Sequence, residues 1–204
     1  MLLPPKIKKH MPFFRDIFQC FFVWRVAQAT MQDIAQADAI VTMAQGLLKN
    51  GKPSPGDMVL ANVVRDLHRR FPDKPIIPQE PVALAAPEIP YIAVAKPPQG
   101  NTLGFSTMAW NTRTVARFDA TVCLKNGWRT VAFVATPYSQ PRTQWELERC
   151  GLRCMAVSVP PYSKKLYDHP LSIYWYGRGG AWRDLLVEAL RGRLHYLSYW
   201  ILPE

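Results

Sequence analysis

The sequence lacks the short motifs that identify common nucleotide-binding and catalytic folds. It has no Walker loop, no intact GxGxxG turn and no GxSxG nucleophile motif. Its histidines, His10, His68, His169 and His195, are scattered along the chain, so spacing alone assembles no histidine-based triad. The sequence therefore names no catalytic residue.

Cysteine is scarce, and its spacing argues against both a disulfide framework and a zinc site. Cys20, Cys123, Cys150 and Cys154 include no CxxC pair, and no histidine stands at ligand spacing from the last two. Free cysteine in apolar surroundings behaves as a small buried hydrophobic residue. We therefore expect unpaired thiols, no metal site and a cytoplasmic protein.

No apolar run is long enough to cross a bilayer. The longest uncharged stretch near the N-terminus, Ile17 to Trp24, is far shorter than the roughly 20 residues that a membrane helix needs. The aromatic and aliphatic residues from Met11 to Trp24 predict a helix packed on the domain. The alternative is peripheral membrane contact through this segment, with Lys6, Lys8 and Lys9 facing lipid headgroups.

Acidic residues are few, and the imbalance of charge indicates an anionic partner. Lysine and arginine number 25 against 15 aspartates and glutamates, which gives a formal net charge of +10. The positive charge is mostly dispersed, and no RNA-recognition, zinc-finger or helix-turn-helix motif accompanies it. We therefore expect a small anionic molecule rather than nucleic acid as the partner.

Apolar runs alternate with amphipathic helices along the chain, which is the pattern of a parallel sheet with crossover helices. The predicted fold is α/β, a Rossmann-like three-layer sandwich with a mainly parallel central sheet. The predicted strands are Ala39 to Met43, Pro75 to Ile77, Tyr91 to Val94, Thr130 to Ala135 and Arg153 to Val159.

Helix signals separate these runs. Ser54, followed by Pro55 and Asp57, predicts a helix start, because a capping hydroxyl precedes proline and an acid in the first turn. That helix is expected to end near Arg70. The other predicted helices cover Met108 to Lys125, Ser139 to Cys150 and Ala181 to Leu197.

The predicted domain organisation has two parts. Residues 1–36 form an N-terminal helical arm, and residues 37–204 form a single Rossmann-like domain. Proline recurs through residues 78–98, which predicts an extended, irregular surface excursion within that domain.

Ligands of open parallel sheets bind beyond the carboxyl ends of the strands, where helix starts present backbone N–H groups. The segments that meet this description are Thr42 to Gly46, Trp110 to Arg113 and Thr136 to Arg142. From them we predict a ligand site made of Asn111, Thr112, Thr136, Gln140 and Arg142.

Arg142 is the expected principal charge of this site, since a guanidinium offers paired donors to phosphate or carboxylate. Its alternative role is a surface salt bridge with Glu146, four residues on. Asn111 and Thr112 have an alternative role as a helix cap.

The order of elements resembles the YdcF-like family of bacterial domains, which includes the SanA and ElyC proteins. The resemblance covers about Ala37 to Leu197 and rests on the segment WNTRTVARFDATVCLKNGWRTVAFVATPYSQPRTQWELERCG. Asn111-Thr112, Thr136 and Arg142 match the family's Asn-Thr pair, its strand-ending threonine and its arginine before a glycine.

The chain departs from the family pattern at several positions. Thr114 and Val115 replace an acid and an amide, and Gln140 replaces a histidine. The glycine-rich turn after the first strand is reduced to Ala44-Gln45-Gly46, and Pro78-Gln79-Glu80 replaces a serine-glycine turn. The replacements remove groups that general acid–base chemistry needs, so catalysis is doubtful.

The preferred function is a binding domain for a small anionic or nucleotide-like ligand. The resemblance alone implies an envelope-related role and S-adenosylmethionine as a candidate cofactor. One alternative is an active hydrolase or transferase that uses carboxylates elsewhere, such as Asp57 or Glu80. The other is a noncatalytic interaction or membrane-surface module.

Overall fold

The computed structural model describes residues 26–96, 112–161 and 163–167. Their strands are β1 (Ala39–Met43), β2 (Ile76–Ile77), β3 (Thr130–Ala135) and β4 (Arg153–Ala156). Every pairing is parallel, and the order across the sheet is β2-β1-β3-β4. The predicted α/β fold with a parallel central sheet is confirmed, and the two longest predicted strands are immediate neighbours.

The helices of the described residues are α1 (Met31–Gln36), α2 (Pro55–Arg70), α3 (Glu80–Ala85), α4 (Thr112–Lys125), α5 (Gln140–Arg149) and α6 (Lys164–Tyr167). They cover both faces of the sheet. One core cluster joins apolar residues of α1, α2 and α3 to the sheet, and the other joins those of α4 and α5 to it. This gives the three layers of the sandwich.

Burial on both faces explains why β1 and β3 have continuous apolar runs. All of β1 and all but the first residue of β3 are buried. Ile40 packs on the α2 side, whereas Val41 and Met43 pack on the α4 side. A strand between two helical layers cannot carry an exposed polar face, so its sequence does not alternate.

The middle of the chain differs from the prediction. Tyr91 to Val94 is not a strand, although the N–H of Ile92 donates to the Ile76 carbonyl at 3.1 Å and an isolated bridge joins Gln79 to Ala95. The expected irregular excursion contains α3, because Pro81 stands in the first turn of that helix, where a missing N–H costs nothing.

The last described strand is shorter than predicted, since β4 ends at Ala156 rather than at Val159. The physical reason is that the carbonyl of Val157 accepts a hydrogen bond from the Gln140 side chain, 2.9 Å away. The strand β2 begins at Ile76, one residue later than Pro75, which has no N–H to donate.

The observed start and end of α2 agree with the prediction from the sequence, whereas the cap predicted at the start of α5 is not formed. Ser54 caps α2 through a capping box with Asp57, and the helix ends at Arg70 as predicted. Ser139 precedes α5 but its hydroxyl makes no capping bond. Residues 1–25, Asn111 and the predicted helix Ala181 to Leu197 lie outside the described residues.

Cys123, Cys150 and Cys154 are free thiols, and burial raises the pKa of each. Cys20 lies outside the described residues. Within the described ranges, no helix combines the length and the apolar character that crossing a membrane requires.

Candidate functional site

The strand order reverses between β1 and β3, because the chain passes from β1 to β2 on one side and later to β3 on the other. In open α/β sheets ligands bind at this point, beyond the carboxyl ends of the strands. The helices α2, α4 and α5 all begin at that edge. We call residues 44–57, 112–113 and 136–142 the switch edge.

Asp57 occupies the backbone donors that follow β1. Its Oδ1 accepts hydrogen bonds from the N–H groups of Gln45 (2.7 Å) and Gly46 (3.3 Å). Its Oδ2 accepts from the N–H (3.0 Å) and the hydroxyl (2.7 Å) of Ser54. In a nucleotide-binding turn such N–H groups hold a phosphate, but here they bind the protein's own carboxylate.

Burial has the largest effect on the pKa of Asp57. It raises this pKa to about 6, although hydrogen bonds from Ser54, Gln45 and Gly46 lower it. Because both oxygens already accept two bonds each, the carboxyl is not positioned to exchange a proton with a bound substrate. The carboxylate that a hydrolase would need is therefore not supplied by Asp57.

The remaining donor of the turn after β1 is also used within the protein. The N–H of Ala44 donates to Gln79 Oε1 at 2.8 Å, and the N–H of Gln79 donates to the Thr42 hydroxyl at 3.1 Å. Gln79 and Thr42 are buried. The backbone N–H groups of Ala44, Gln45 and Gly46, which follow β1, thus all donate to acceptors within the protein.

The segment after β4 packs over this closed turn. Gln45 Nε2 donates to the carbonyl of Tyr167 at 3.0 Å, and Gln45 Oε1 lies 3.2 Å from the Ser54 hydroxyl. Gly56 leaves the room for this side chain, because a Cβ there would stand 1.8 Å from Gln45 Oε1. Tyr167 is 1% exposed and donates its hydroxyl to the Pro160 carbonyl at 2.7 Å.

Thr136 and Gln140 form the turn between β3 and α5, and both are buried. The Thr136 hydroxyl lies 2.8 Å from that of Ser139. Gln140 donates its amide to the Val157 carbonyl and accepts from Gln28 Nε2, each at 2.9 Å. The Thr136 contact is local, whereas Gln140 connects distant chain segments, a role that the sequence did not predict.

Thr112 and Arg142 begin the two helices on the β3 side. Thr112 is the first residue of α4, Arg142 lies in the first turn of α5, and both are half-buried. The two helices pack against each other. Thr112, Thr136, Gln140 and Arg142 thus lie at one edge of the sheet, whereas Asn111 lies outside the described residues.

The facing surfaces of α4 and α5 carry a cluster of charges that the sequence analysis missed. Arg113 and Arg117 lie one turn apart on α4, and Arg142, Glu146 and Arg149 follow one stripe of α5. Burial raises the pKa of Glu146, and Coulombic attraction to the four guanidinium groups lowers it. Glu146 is 2% exposed, so it is not the surface partner expected for Arg142.

Asp119 is a second buried acid that the sequence analysis missed. Its carboxyl lies on the buried face of α4 with Val115 and Cys123. Neither oxygen has a hydrogen-bond partner in the described part of the chain, and burial raises the pKa of Asp119 well above its ordinary value. Burial of an acid without partners in an apolar layer favours its neutral form.

No three histidine, cysteine or acidic side chains among residues 26–96, 112–161 and 163–167 group closely enough to hold a metal ion. No family model matches the sequence, and no curated protein or solved structure is significantly similar to it. The class of the protein is therefore defined by its fold, a parallel α/β sheet with a switch point between β1 and β3.

Proposed function

We propose that the chain is a binding domain for a small anionic or nucleotide-like ligand, held at the β3 side of the switch edge. The observation that carries this proposal is the charge of the first helical turns. The helices α4 and α5 have Arg113 and Arg142 there and no acid. The helices α1, α2 and α3 instead have Asp33, Asp57 and Glu80.

Helix dipoles explain why this difference indicates a ligand. The N-terminus of a helix carries a partial positive charge, which carboxylates stabilise and guanidinium groups oppose. Arg113 and Arg142 therefore add positive charge where the backbone is already positive. A bound anion would interact favourably with both groups of positive charge.

The resemblance to the YdcF-like family supports the same location, because Thr112, Thr136 and Arg142 carry the resemblance and lie at this edge. The proposal includes divergent membership of that bacterial family, an envelope-related role and S-adenosylmethionine as a candidate ligand. It also includes a cytoplasmic location, and the alternative is peripheral membrane contact through residues 11–24.

A thermal-shift screen with nucleotides, S-adenosylmethionine and sugar phosphates tests the proposal, since a ligand that binds the folded state raises the melting temperature. Arg142→Ala should weaken binding of an active ligand by about 1.5 to 3 kcal/mol, the range for a hydrogen bond to a charged group. Arg142→Lys should recover part of the loss, because a point charge cannot reproduce a fork.

Arg129→Ala is the matched control, because Arg129 is an exposed arginine that precedes β3 at the opposite edge of the sheet. It should leave binding unchanged. Equal binding by the wild type and by Arg142→Ala would contradict the proposed site.

A further inference from the structure

We infer that Gln28 is a positioning residue of the candidate site, because it fixes the side chain of Gln140 and thereby the turn between β3 and α5. Docking of the segment that precedes α1 is then coupled to the shape of the edge where the ligand is proposed to bind. The inference rests on the proposed function, since that turn belongs to the switch edge. It adds a residue outside the predicted site and a means of regulating that site.

The side-chain amide of Gln140 joins three chain segments at the start of α5. Its Nε2 donates to the carbonyl of Val157 at 2.9 Å, just after β4, and to that of Ala135 at 3.4 Å, at the end of β3. Its Oε1 accepts from Gln28 Nε2 at 2.9 Å. Gln140 is 4% exposed, so water does not readily replace a partner that is lost.

These partners permit one orientation of the Gln140 amide. A flip would turn its oxygen toward two backbone carbonyl oxygens and its NH₂ group toward the NH₂ group of Gln28. Gln28 is oriented in the same way, because its Nε2 also donates to the Val26 carbonyl at 3.0 Å. Each amide nitrogen thus has two acceptors for its two hydrogens, and Gln28 can only be the donor of the pair.

The backbone beside Gln28 places it at the end of β4. The N–H of Ala29 donates to the Ala156 carbonyl, and Gln28 forms a parallel bridge with the same residue. Gln28 is exposed, whereas Gln140 is buried. An exposed donor therefore serves a buried acceptor. The contact can open without unfolding of the core, and opening leaves Gln140 Oε1 without a donor among the described residues.

The turn that Gln140 fixes leads directly into α5. The Thr136 carbonyl accepts from the N–H groups of Ser139 at 2.9 Å and of Gln140 at 3.1 Å, and Arg142 follows in the first turn of the helix. Loss of the donor at Gln28 therefore loosens the start of α5 relative to the ends of β3 and β4. Coupling between two sites is reciprocal, so a ligand that requires this turn also stabilises the docked segment.

The test is amide hydrogen exchange of the full chain at Ser139 and Gln140, followed by NMR in the wild type and in variants of position 28. Exchange should be roughly fivefold faster in Gln28→Met, which keeps the length of the side chain without a donor. It should be faster still in Gln28→Glu, which presents oxygens to an oxygen. Gln28→Lys keeps a donor and should stay within about twofold of the wild type.

Gln32→Glu is the matched control, because Gln32 is an exposed glutamine of α1 and the change in charge is the same. It should leave exchange at Ser139 unchanged, and the amides of α2 should exchange equally in every variant. In a Gln140→Met background, Gln28→Met should have no further effect on Ser139, since the acceptor is gone.

Wild-type exchange at Ser139 in both Gln28→Met and Gln28→Glu would overturn the inference. Equal acceleration in Gln28→Lys and Gln28→Met would overturn it as well, because position 28 would then act through packing and not through a donor. Should Gln140→Met not fold, the variants of position 28 decide, since that residue is exposed.

The exchange experiment needs no ligand, so its outcome is independent of the thermal-shift screen. If exchange follows the expected order and no ligand raises the melting temperature, the coupling of Gln28 to the turn stands and the proposed function fails. If a ligand binds through Arg142, and the variants of position 28 change neither its affinity nor the exchange, the inference fails and the proposed function stands.

Discussion

The two halves of the switch edge use the start of a helix in opposite ways. On the β1 side, α2 begins with Ser54 and Asp57, whose oxygens bind the backbone donors of the preceding turn. On the β3 side, α4 and α5 begin with arginines and lack acids in their first turns. On the β1 side the backbone donors bind a carboxylate of the protein itself, whereas on the β3 side arginines stand where acids stand in α2.

The buried acids show the same contrast. Asp57 receives hydrogen bonds from backbone and hydroxyl donors, whereas Asp119 on α4 has no hydrogen-bond partner among the described residues. Burial of a carboxyl therefore does not by itself indicate a stabilising or a functional group. The sign of its contribution depends on its partners.

Removing Asp57 is expected to have the largest effect. Asp57→Ala leaves the buried donors of Gln45 and Ser54 without an acceptor and should lower the free energy of unfolding by about 4 kcal/mol. Asp33→Ala is the matched control, because Asp33 forms the same capping box with Thr30 at an exposed helix start. Its cost in urea unfolding should be a small fraction of that, since water replaces the lost acceptor. Equal costs would remove the contrast between a buried and an exposed cap.

The pH dependence of stability should reveal the same carboxyl. The pKa of Asp57 is raised from 3.8 to about 6, so the folded state binds this proton more tightly than the unfolded state. The contribution is complete below about pH 4 and is lost as the pH rises through about 6, a change of about 3 kcal/mol.

The measurement is urea unfolding of the wild type and of Asp57→Asn from about pH 4 to about pH 7. The excess stability of the wild type should shrink over that range, because the amide of the variant does not titrate while the other groups cancel. A difference that stays constant, or that grows with pH, would contradict the raised pKa.

Gly56→Ala tests the packing over the β1 side. The new Cβ would overlap Gln45 Oε1, so the Gln45 amide must leave the Tyr167 carbonyl. The expected loss is about 2 kcal/mol of unfolding free energy. In a Gln45→Ala background the same change should cost much less, since both atoms nearer than 3.0 Å belong to Gln45 and only Tyr167 Cδ1, at 3.0 Å, stays close. Additive costs would show that Gln45 is not what restricts position 56.

Asp119 should give the smallest effect, with the opposite sign to that of Asp57. Asp119→Val removes a buried polar group without partners and should raise the free energy of unfolding by about 1 kcal/mol. Asp119→Asn keeps polar atoms in the same place and should gain less. A loss of stability in Asp119→Val, measured by urea unfolding at neutral pH, would show that the carboxyl is bound after all.

Local sequence patterns predicted the central strands and α2 because their causes are local. The run Ala39–Met43 is apolar throughout since both faces are buried, and Ser54 to Asp57 contains a complete helix start. The prediction of an extended, irregular segment over residues 78–98 missed a helix, because Pro81 stands in the first turn of that helix instead of interrupting it. Proline composition does not distinguish these roles; its position in the first turn does.

The sequence predicted which edge of the sheet carries the candidate site, but it did not predict the side-chain contacts within that site. Strand ends and helix starts indicated Thr112, Thr136 and Arg142. The partner of Gln140 is Gln28, 112 positions away, and the surroundings of Glu146 depend on how α4 packs on α5. No local pattern contains those pairings, because they are created only when the layers assemble.

The contact of Gln28 with the end of β4 has a consequence for biosynthesis. The N–H of Ala29 donates to the Ala156 carbonyl at 2.7 Å, and Gln28 pairs in parallel with the same residue. This contact covers the outer edge of β4 at its carboxyl end, where an open edge would invite pairing with other chains. Residues 28 and 29 leave the ribosome long before Ala156 does, so during translation they have no contact with β4 until that strand has been synthesised. The segment that covers this edge is therefore already available when β4 has been made.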